Sequence, residues 1–352
     1  LYSVGYSPDE IEEIMLSADW EDLLSSSNFY NRSKMFIDQK KYYDRKLINL
    51  RFDKFKFQIP QAISNGYKFS EFLQEKILNS KYPFTNDFDR FKIPFRAVSL
   101  DIVNGKPYIF RNGDLMTAIR ASITVPLRFT PVELDSMILV DGGPVANIPF
   151  DQAVAEFNPE RIIVVNTTSD IYQYSDLNNP VNIADQIVSV IMRSKEEMVK
   201  EKSDIYIEPD LAGVSNSDFI NLEGIVERGE KACANIDFNG LDNTKNPKTT
   251  RLTDTEYFLN SVEVVGNNNT DKMIILTDLL INKGEKITKL DLFNLWQSIY
   301  STELFSQVRL LTEIVEENKI NLTIEVKEKG NQLILLGARV DNERNTQAEV
   351  DI

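Results

Sequence analysis

The most informative absence in this 352-residue sequence is histidine, which does not occur at all. Without histidine, the residues present cannot form a Ser-His-Asp triad, a Cys-His dyad or a histidine-ligated metal site. The sequence also has a single cysteine, Cys233, which excludes an internal disulfide bond. Because Cys233 falls within an apolar helical pattern, we expect a buried thiol that serves packing.

Excess basic charge and long apolar runs are also missing. The formal net charge of -15 argues against a nucleic-acid partner and against docking on anionic lipid through a basic patch. No apolar run approaches the roughly 18 residues of a membrane-spanning helix. With 42% hydrophobic and 26% charged residues, the composition is that of an ordinary globular protein, and the length favours two compact units.

The amino-terminal segment "LYSVGYSPDE" has neither an initiator methionine nor a signal peptide, so we expect further sequence upstream. Ser7 suits a helix N-cap and Pro8 the first helical position, which predicts a helix with Ile11 on its buried face. The polar and aromatic stretch from about 25 to 60 has no clear period. It predicts a long irregular excursion over the first domain.

The middle of the chain carries an α/β pattern. In "FRAVSLDIVNGKPYIF", two apolar runs flank Asn104 and Gly105, which predicts a β-hairpin. Further on, a strand "MILV", a helix "IPFDQAVAEF" and a buried strand "RIIVVNT" predict a βαβ unit. Apolar residues at 183, 187, 190 and 191 mark a later helix. These elements predict an α/β domain that ends near Asn235.

A second, smaller unit is predicted after a linker. Residues 236–256 are rich in Asn, Asp, Thr, Gly and Pro and have no hydrophobic period, as is typical of a linker. The pattern that follows is a strand, two helices and two alternating strands, which predicts a small α+β domain over 257–329.

The segment "LVDGGPVANIPF" suggests a site, because Asp141 stands at the carboxyl end of a predicted strand. Open α/β sheets bind their ligands at such strand ends. Gly142 and Gly143 remove two β-carbons there, which permits positive φ angles and close approach of another group. A carboxylate presented into a crevice fits this pattern, but so does an ordinary Asp-Gly turn, and the segment alone leaves both open.

A resemblance to a known family, carried by several separate segments, favours the interpretation of Asp141 as a carboxylate presented into a crevice. "LYSVGYSPDEIEEIM", "IPFRAVSLDIVNGKPYIFRNGD", "AIRASITVPLRFTPVELDSMILVDGGPVANIPF" and "DIYIEPDLAGVSNSDF" resemble bacterial patatin-like phospholipases over about residues 1–235. The resemblance implies a three-layer α/β/α domain with a mostly parallel sheet. It also implies that Asp141 is the catalytic partner of a nucleophilic serine, with Gly142 and Gly143 completing the motif.

The implied activity is that of a lipid acyl hydrolase of the phospholipase A type, acting on phospholipid or another acyl ester through a Ser-Asp dyad without metal or organic cofactor. A serine hydroxyl becomes nucleophilic when a positioned base takes its proton, and Asp141 is the base implied here. The family's G-x-S-x-G motif is missing from these 352 residues. The resemblance places that motif and the oxyanion loop before Leu1, so we expect this fragment alone to be inactive.

Other polar residues have simpler interpretations. Three serines are not assigned as nucleophiles. Ser3 lies beside a helix start, Ser7 is a helix N-cap, and Ser122 matches a family position that is structural. Asp101 precedes a hairpin turn and is expected to be a solvated strand-end acid. Asp87 and Asp89 lack the spacing of a calcium loop. Arg128 and Phe129 are expected to pack beside the site.

Residues 257–329 resemble a POTRA domain, the periplasmic βααββ module that precedes outer-membrane barrels, on "VEVVGNNNT", "GEKIT", "LWQSIYSTELFSQV" and "LTIEVKEK". Residues 330–352 resemble the start of a surface-antigen outer-membrane barrel. A generic α+β domain with an amphipathic end strand is the alternative.

This arrangement implies a phospholipase at the outer membrane or surface of a Gram-negative bacterium, with a periplasmic POTRA-like part and a carboxyl-terminal barrel as partner. The competing hypothesis is a non-catalytic binding or assembly protein with a patatin fold.

Overall fold

The computed structural model describes residues 1–24, 46–53, 56–58, 62, 64–81, 85–168, 171–178, 180–193, 196–214, 219, 221–238, 256–277, 279, 282–302, 304–316, 318–329, 332–341 and 345–351. The chain divides into two compact units. The first unit comprises the described parts of 1–24 and 79–254, and the second unit those of 25–78 and 255–352.

The helices are α1 Pro8–Ser17, α2 Trp20–Leu23, α3 Tyr67–Leu78, α4 Leu115–Ser122, α5 Gly143–Ala146, α6 Phe150–Phe157, α7 Pro180–Arg193, α8 Glu196–Lys202, α9 Leu222–Cys233, α10 Lys272–Leu276 and α11 Lys289–Ser301. The strands are β1 Lys46–Asp53, β2 Lys56–Gln58, β3 Ala97–Asp101, β4 Lys106–Phe110, β5 Val132–Leu134, β6 Met137–Asp141, β7 Ile163–Val165, β8 Ile205–Ile207, β9 Tyr257–Val265, β10 Lys286–Ile287, β11 Phe305–Glu316, β12 Lys319–Glu328, β13 Gln332–Asp341 and β14 Asn345–Asp351. No helix in the described part of the chain is long and apolar enough to cross a bilayer.

Helix α1 begins as predicted. The Ser7 hydroxyl accepts the Glu10 backbone N–H at 3.2 Å, and the Glu10 carboxylate accepts the Ser7 backbone N–H at 2.6 Å. Each side chain thus satisfies a backbone donor that the first helical turn leaves unpaired. Ile11, on the predicted apolar face, is half-buried.

The mixture of helices and sheets confirms the α/β class, but the strand directions around the site differ from the expected mostly parallel sheet. The first unit contains a sheet of order β4-β3-β6-β5 in which each neighbouring pair is antiparallel. Tight turns explain two of these three pairings, β3–β4 and β5–β6, because short connections can join only antiparallel strands. Gly105, with φ +65°, lies between β3 and β4, and Asp135, with φ +53°, between β5 and β6.

The parallel pairing in the first unit occurs elsewhere, between β7 and β8. Their connection contains α7 and α8, so the βαβ arrangement runs from β7 to β8. The predicted unit from β6 to β7 is not formed as a pair in the described strands. Val164 is buried, while Ile163 and Val165 are 44% and 56% exposed. Burial of both faces of "RIIVVNT" is therefore not observed.

Helix α7 confirms the predicted helical segment, but its apolar stripe is about half exposed. Ile187 and Val190 are 58% and 55% exposed, whereas Ser189 on another face is buried. This helix packs against α5. The last predicted helix of the domain is α9, and Cys233 at its end is half-buried instead of fully buried.

The second unit contains the predicted order of one strand, two helices and two strands, with the short strand β10 added between the helices. These strands form a sheet of order β10-β9-β12-β11, with β9 parallel and β11 antiparallel to β12. Helix α11 contributes the buried Trp296, whose indole N–H donates to the Val308 carbonyl at 3.1 Å. The side chains of Leu292, Leu295, Ile320 and Ile324 are also buried.

Helix α3 groups with elements of the second unit. The domain assigned to 1–235 was expected to include residues 67–78, yet α3 is part of the second unit. The ring of Tyr67 stacks on Trp296 at a centroid distance of 5.9 Å, and the Gln297 amide donates to Glu71 at 2.6 Å. These contacts join segments more than two hundred residues apart, which no local pattern can show.

The irregular stretch predicted from 25 to 60 contains strands β1 and β2. They belong to a sheet of order β14-β13-β1-β2, with antiparallel neighbours. The segment 330–352 likewise forms two strands where a single opening strand was expected. Most of the predicted linker, residues 239–255, lies outside the described residues.

Candidate active site

Asp141 is the final residue of β6, and backbone contacts fix its position. Its N–H donates to the Thr124 carbonyl at 2.9 Å, and its register places it opposite Ser99 on β3. The carboxylate oxygen Oδ1 accepts the Gly143 backbone N–H at 2.7 Å. One carboxylate oxygen is therefore held in place by the turn that follows the strand.

Gly142 and Gly143 lie where space is short, and neither adopts the positive φ that glycine permits. Gly142 has φ -75°, and neither glycine belongs to the positive-φ residues. A Cβ on Gly142 would stand 2.5 Å from the Val98 carbonyl oxygen. A Cβ on Gly143 would stand 1.8 Å from the terminal carbon of Met192 and 3.1 Å from Asp141 Oδ1. Close approach of backbone atoms accounts for Gly142, whereas the nearest atom at Gly143 is the flexible end of the Met192 side chain.

Asp141 lines a cavity of about 280 Å³ within the first unit. The apolar side chains of its lining are Val125, Pro126, Pro144, Ile148, Val165, Ala184, Val188 and Met192. The polar side chains are Arg128, Asn147, Asn166, Thr167, Thr168, Tyr172, Asn182 and Ser189. The carboxylate thus lies in a concave site with apolar and polar walls, as is common for small-molecule sites.

The polar wall is ordered by its own hydrogen bonds. The Asn147 amide donates to the Thr168 hydroxyl at 2.8 Å, and that hydroxyl donates to Asn166 Oδ1 at 2.6 Å. Asn166 Nδ2 in turn donates to the Tyr206 hydroxyl at 2.9 Å, while burial raises the pKa of Tyr206. Sequence reasoning missed this wall, although polar residues directly after β7 were a usable signal.

A buried arginine, Arg120, contacts Thr124, whose carbonyl accepts the Asp141 N–H. Arg120 is 4% exposed, donates to the Thr124 hydroxyl at 3.1 Å and lies over the Phe129 ring at 5.0 Å. The Thr124 hydroxyl donates to the Arg120 carbonyl at 2.6 Å. Phe129 is buried, which confirms its packing role, and Arg128 lines the cavity itself.

Asp101 and Asp87, which were not predicted to be catalytic, make hydrogen bonds to nearby residues. Asp101 is 4% exposed, so the expected solvated acid is wrong. Its carboxylate accepts the Asn104 amide at 2.6 Å and the Val103 N–H at 3.0 Å, and these bonds lower its pKa while holding the hairpin turn. Asp87 accepts the Asp89 N–H at 3.0 Å. Among the described residues, no cluster of three or more acids and cysteines could hold a metal ion.

The serines that were not assigned as nucleophiles are not among the residues that line the cavity. Ser7 caps α1, the Ser3 carbonyl accepts the Ile93 N–H at 3.4 Å, and Ser122 ends α4. Ser189 does line the cavity, from within α7.

Comparison with known proteins finds a family match that includes this strand and turn. Residues 1–154 match the patatin-like phospholipase family. The matched region contains Asp141, Gly142 and Gly143, together with Arg128. The resemblance expected for residues 155–235 stays a prediction.

Two groups of mycobacterial relatives support the match. An uncharacterized NTE family protein of Mycobacterium tuberculosis is 33% identical over 112 residues, which cover 27% of this chain and 31% of the relative. Its counterpart in Mycobacterium bovis has the same identity and coverage. Another uncharacterized NTE family protein of Mycobacterium tuberculosis is 39% identical over 70 residues, covering 20% of this chain and 12% of the relative. The chain thus spans about a third or less of the curated relatives it matches.

Proposed function

We propose that the patatin-like domain hydrolyses acyl esters of lipids by a Ser-Asp dyad, with Asp141 as the base. The observation that carries this proposal is the placement of the Asp141 carboxylate on a cavity wall, with Oδ1 held at 2.7 Å from the Gly143 nitrogen. The apolar wall suits an acyl chain, and a carboxylate is the base available where histidine is absent.

In the proposed reaction, Asp141 removes the proton of a serine hydroxyl while the serine oxygen attacks the ester carbonyl carbon. The tetrahedral intermediate collapses as Asp141 returns that proton to the oxygen of the departing alcohol, and an acyl-serine remains. Water then attacks the acyl-serine with Asp141 again accepting a proton, and the fatty acid leaves as Asp141 returns the proton to serine. We propose that this serine belongs to a G-x-S-x-G segment encoded before Leu1.

The test is ester hydrolysis by the protein of the complete reading frame. Asp141→Asn keeps the side-chain shape but removes the base, and we expect turnover of a fluorogenic acyl ester to fall by about 10²–10⁴-fold. Asp135→Asn is the matched control, because Asp135 is exposed on the β5–β6 turn and asparagine tolerates its φ of +53°. Undiminished turnover in Asp141→Asn would contradict the role of this carboxylate.

The identity of the nucleophile needs a separate comparison. Alanine at the serine of the upstream motif is expected to abolish turnover. If Ser189→Ala abolishes turnover and the upstream variant does not, the cavity serine of α7 is the nucleophile instead. A reading frame without an upstream serine motif, together with an inactive protein, would favour the non-catalytic binding or assembly role.

We also propose that the second unit is a POTRA-like module of an outer-membrane protein, and that residues 330–352 begin a barrel. This proposal is supported by the strand-helix-helix-strand-strand order and the parallel β9–β12 pairing. The test is fractionation of a Gram-negative cell expressing the complete reading frame. We expect the protein in the outer-membrane fraction, with an epitope in the second unit protected from protease until the outer membrane is opened. Recovery in the cytosolic fraction would contradict the proposal.

A further inference from the structure

The cavity beside Asp141 contains a cation, Arg128, that the proposed dyad does not use. Arg128 follows Leu127, whose φ of +69° lies in the left-handed region that leucine seldom adopts. The Arg128 N–H donates to the Val125 carbonyl at 3.2 Å and closes the turn. The chain therefore adopts an unfavourable backbone conformation immediately before a charged side chain on the cavity wall.

Within the described part of the protein, the Arg128 side chain has neither a hydrogen bond nor an ion pair. The other arginines near this region do have partners. Arg96 donates to Asp89 at 2.7 Å and Glu156 at 2.9 Å, and Arg120 donates to Thr124 at 3.1 Å. A half-buried guanidinium with five donors and no acceptor among the residues that the structure describes is suited to an external anion.

The rest of the lining limits what that anion can be. The charged side chains there are Arg128 and Asp141, and the polar wall formed by Asn147, Asn166 and Thr168 already satisfies itself internally. The protein's net charge of -15 repels anions at long range, so Arg128 supplies local attraction where Asp141 would otherwise repel.

We infer that Arg128 binds an anionic phosphate group of the lipid substrate and makes the site selective for phospholipids over neutral acyl esters. This inference rests on the proposed function, because it names the substrate class of the same cavity. Planar guanidinium groups bind phosphate oxygens through two parallel hydrogen bonds, which a lysine cannot reproduce.

The experiment compares a phospholipid with a diacylglycerol of identical acyl chains, each presented in neutral-detergent micelles to the protein of the complete reading frame. We expect Arg128→Gln to lower kcat/KM for the phospholipid by about tenfold or more, and for the diacylglycerol by less than about threefold. Arg128→Lys is expected to fall between wild type and Arg128→Gln. The matched control is Arg161→Gln, because Arg161 is exposed and does not line the cavity.

A binding arm separates this inference from the proposed hydrolysis. Calorimetric titration with a non-hydrolysable diether phospholipid should show at least about tenfold weaker binding in Arg128→Gln, with little change for the diether glycerol. If wild type turns over neither ester, the proposed function fails while the binding arm still tests Arg128. Equal effects on both lipids, or no effect on the phospholipid in either arm, would overturn the inference. If free fatty acid binds more tightly than the phospholipid in this titration, Arg128 binds the product carboxylate instead. That result would also overturn the inference.

Discussion

The backbone carbonyl of Val98 faces the α-carbon of Gly142 so closely that a Cβ there would stand 2.5 Å from the carbonyl oxygen. This contact brings the end of β6 against β3 immediately beside the proposed catalytic carboxylate. The three nearest atoms belong to the backbone of Val98 and Ser99, so the backbone itself would have to shift to admit a methyl group. The geometry of Asp141 therefore depends on the missing side chain of the next residue.

Gly142→Ala should lower the free energy of unfolding of the first unit by about 1–3 kcal/mol through overpacking. The methyl group of Gly143→Ala would meet mainly the end of the flexible Met192 side chain. Met192→Ala in the same chain should therefore restore part of the stability that Gly143→Ala loses. The same second substitution should not rescue Gly142→Ala. Urea unfolding followed by Trp20 fluorescence, with Trp296 replaced by Phe, measures these differences. Rescue of both glycine variants would contradict the distinction.

Thr124→Val should destabilise the first unit by about 1–3 kcal/mol, because the buried Arg120 loses the acceptor 3.1 Å away. Thr124→Ser keeps the hydroxyl and should lower the free energy of unfolding by less than Thr124→Val does, although valine preserves the side-chain volume better. Chemical denaturation of the two variants measures the order. If serine is the more harmful substitution, packing of the methyl group outweighs the hydrogen bonds.

The ion pairs of Glu156 should make stability depend on acid pH. Hydrogen bonds from Arg111 and then Arg96 lower the Glu156 pKa from 4.5 to about 2. A carboxylate with a lowered pKa in the folded state stabilises the fold above its unfolded pKa, and this contribution is lost as pH falls from about 4.5 towards 2. The stability difference between wild type and Glu156→Gln should therefore be constant near neutrality and shrink across that window.

Thermal unfolding as a function of pH measures the Glu156 effect. Glu197→Gln is the matched control, since Glu197 is exposed on α8 in the same unit. A stability difference for Glu156→Gln that persists unchanged to pH 2 would show that it does not come from the ion pairs of Glu156.

Trp296→Phe should destabilise the second unit by about 2–4 kcal/mol, through a smaller ring and the loss of the donor to the Val308 carbonyl. Hydrogen-deuterium exchange read by mass spectrometry should show faster exchange in α11, β11 and β12. Peptides from β3 and β6 serve as the internal control, since they belong to the first unit. Equal acceleration in both sets would show that the units unfold together.

Local patterns predicted the parts of the fold that local physics governs. The N-cap at Ser7, the hairpin turn at Asn104 and Gly105, and the helical pattern around Cys233 each depend on neighbours a few residues away. They failed where distant segments decide the outcome. Helix α3 joins the second unit through Tyr67 and Trp296, and the apolar stripe of α7 is left exposed at Ile187.

The sequence by itself placed a carboxylate, Asp141, at the end of a strand and next to two glycines, because chain order and residue type alone establish that motif. It could not establish why the glycines are there, which residues face Asp141 across the cavity, or that Arg128 lacks a partner among the described residues. Those features depend on distances between segments that are remote along the chain. Such distances are set by how strands pair and helices pack, and they exist only in the folded protein.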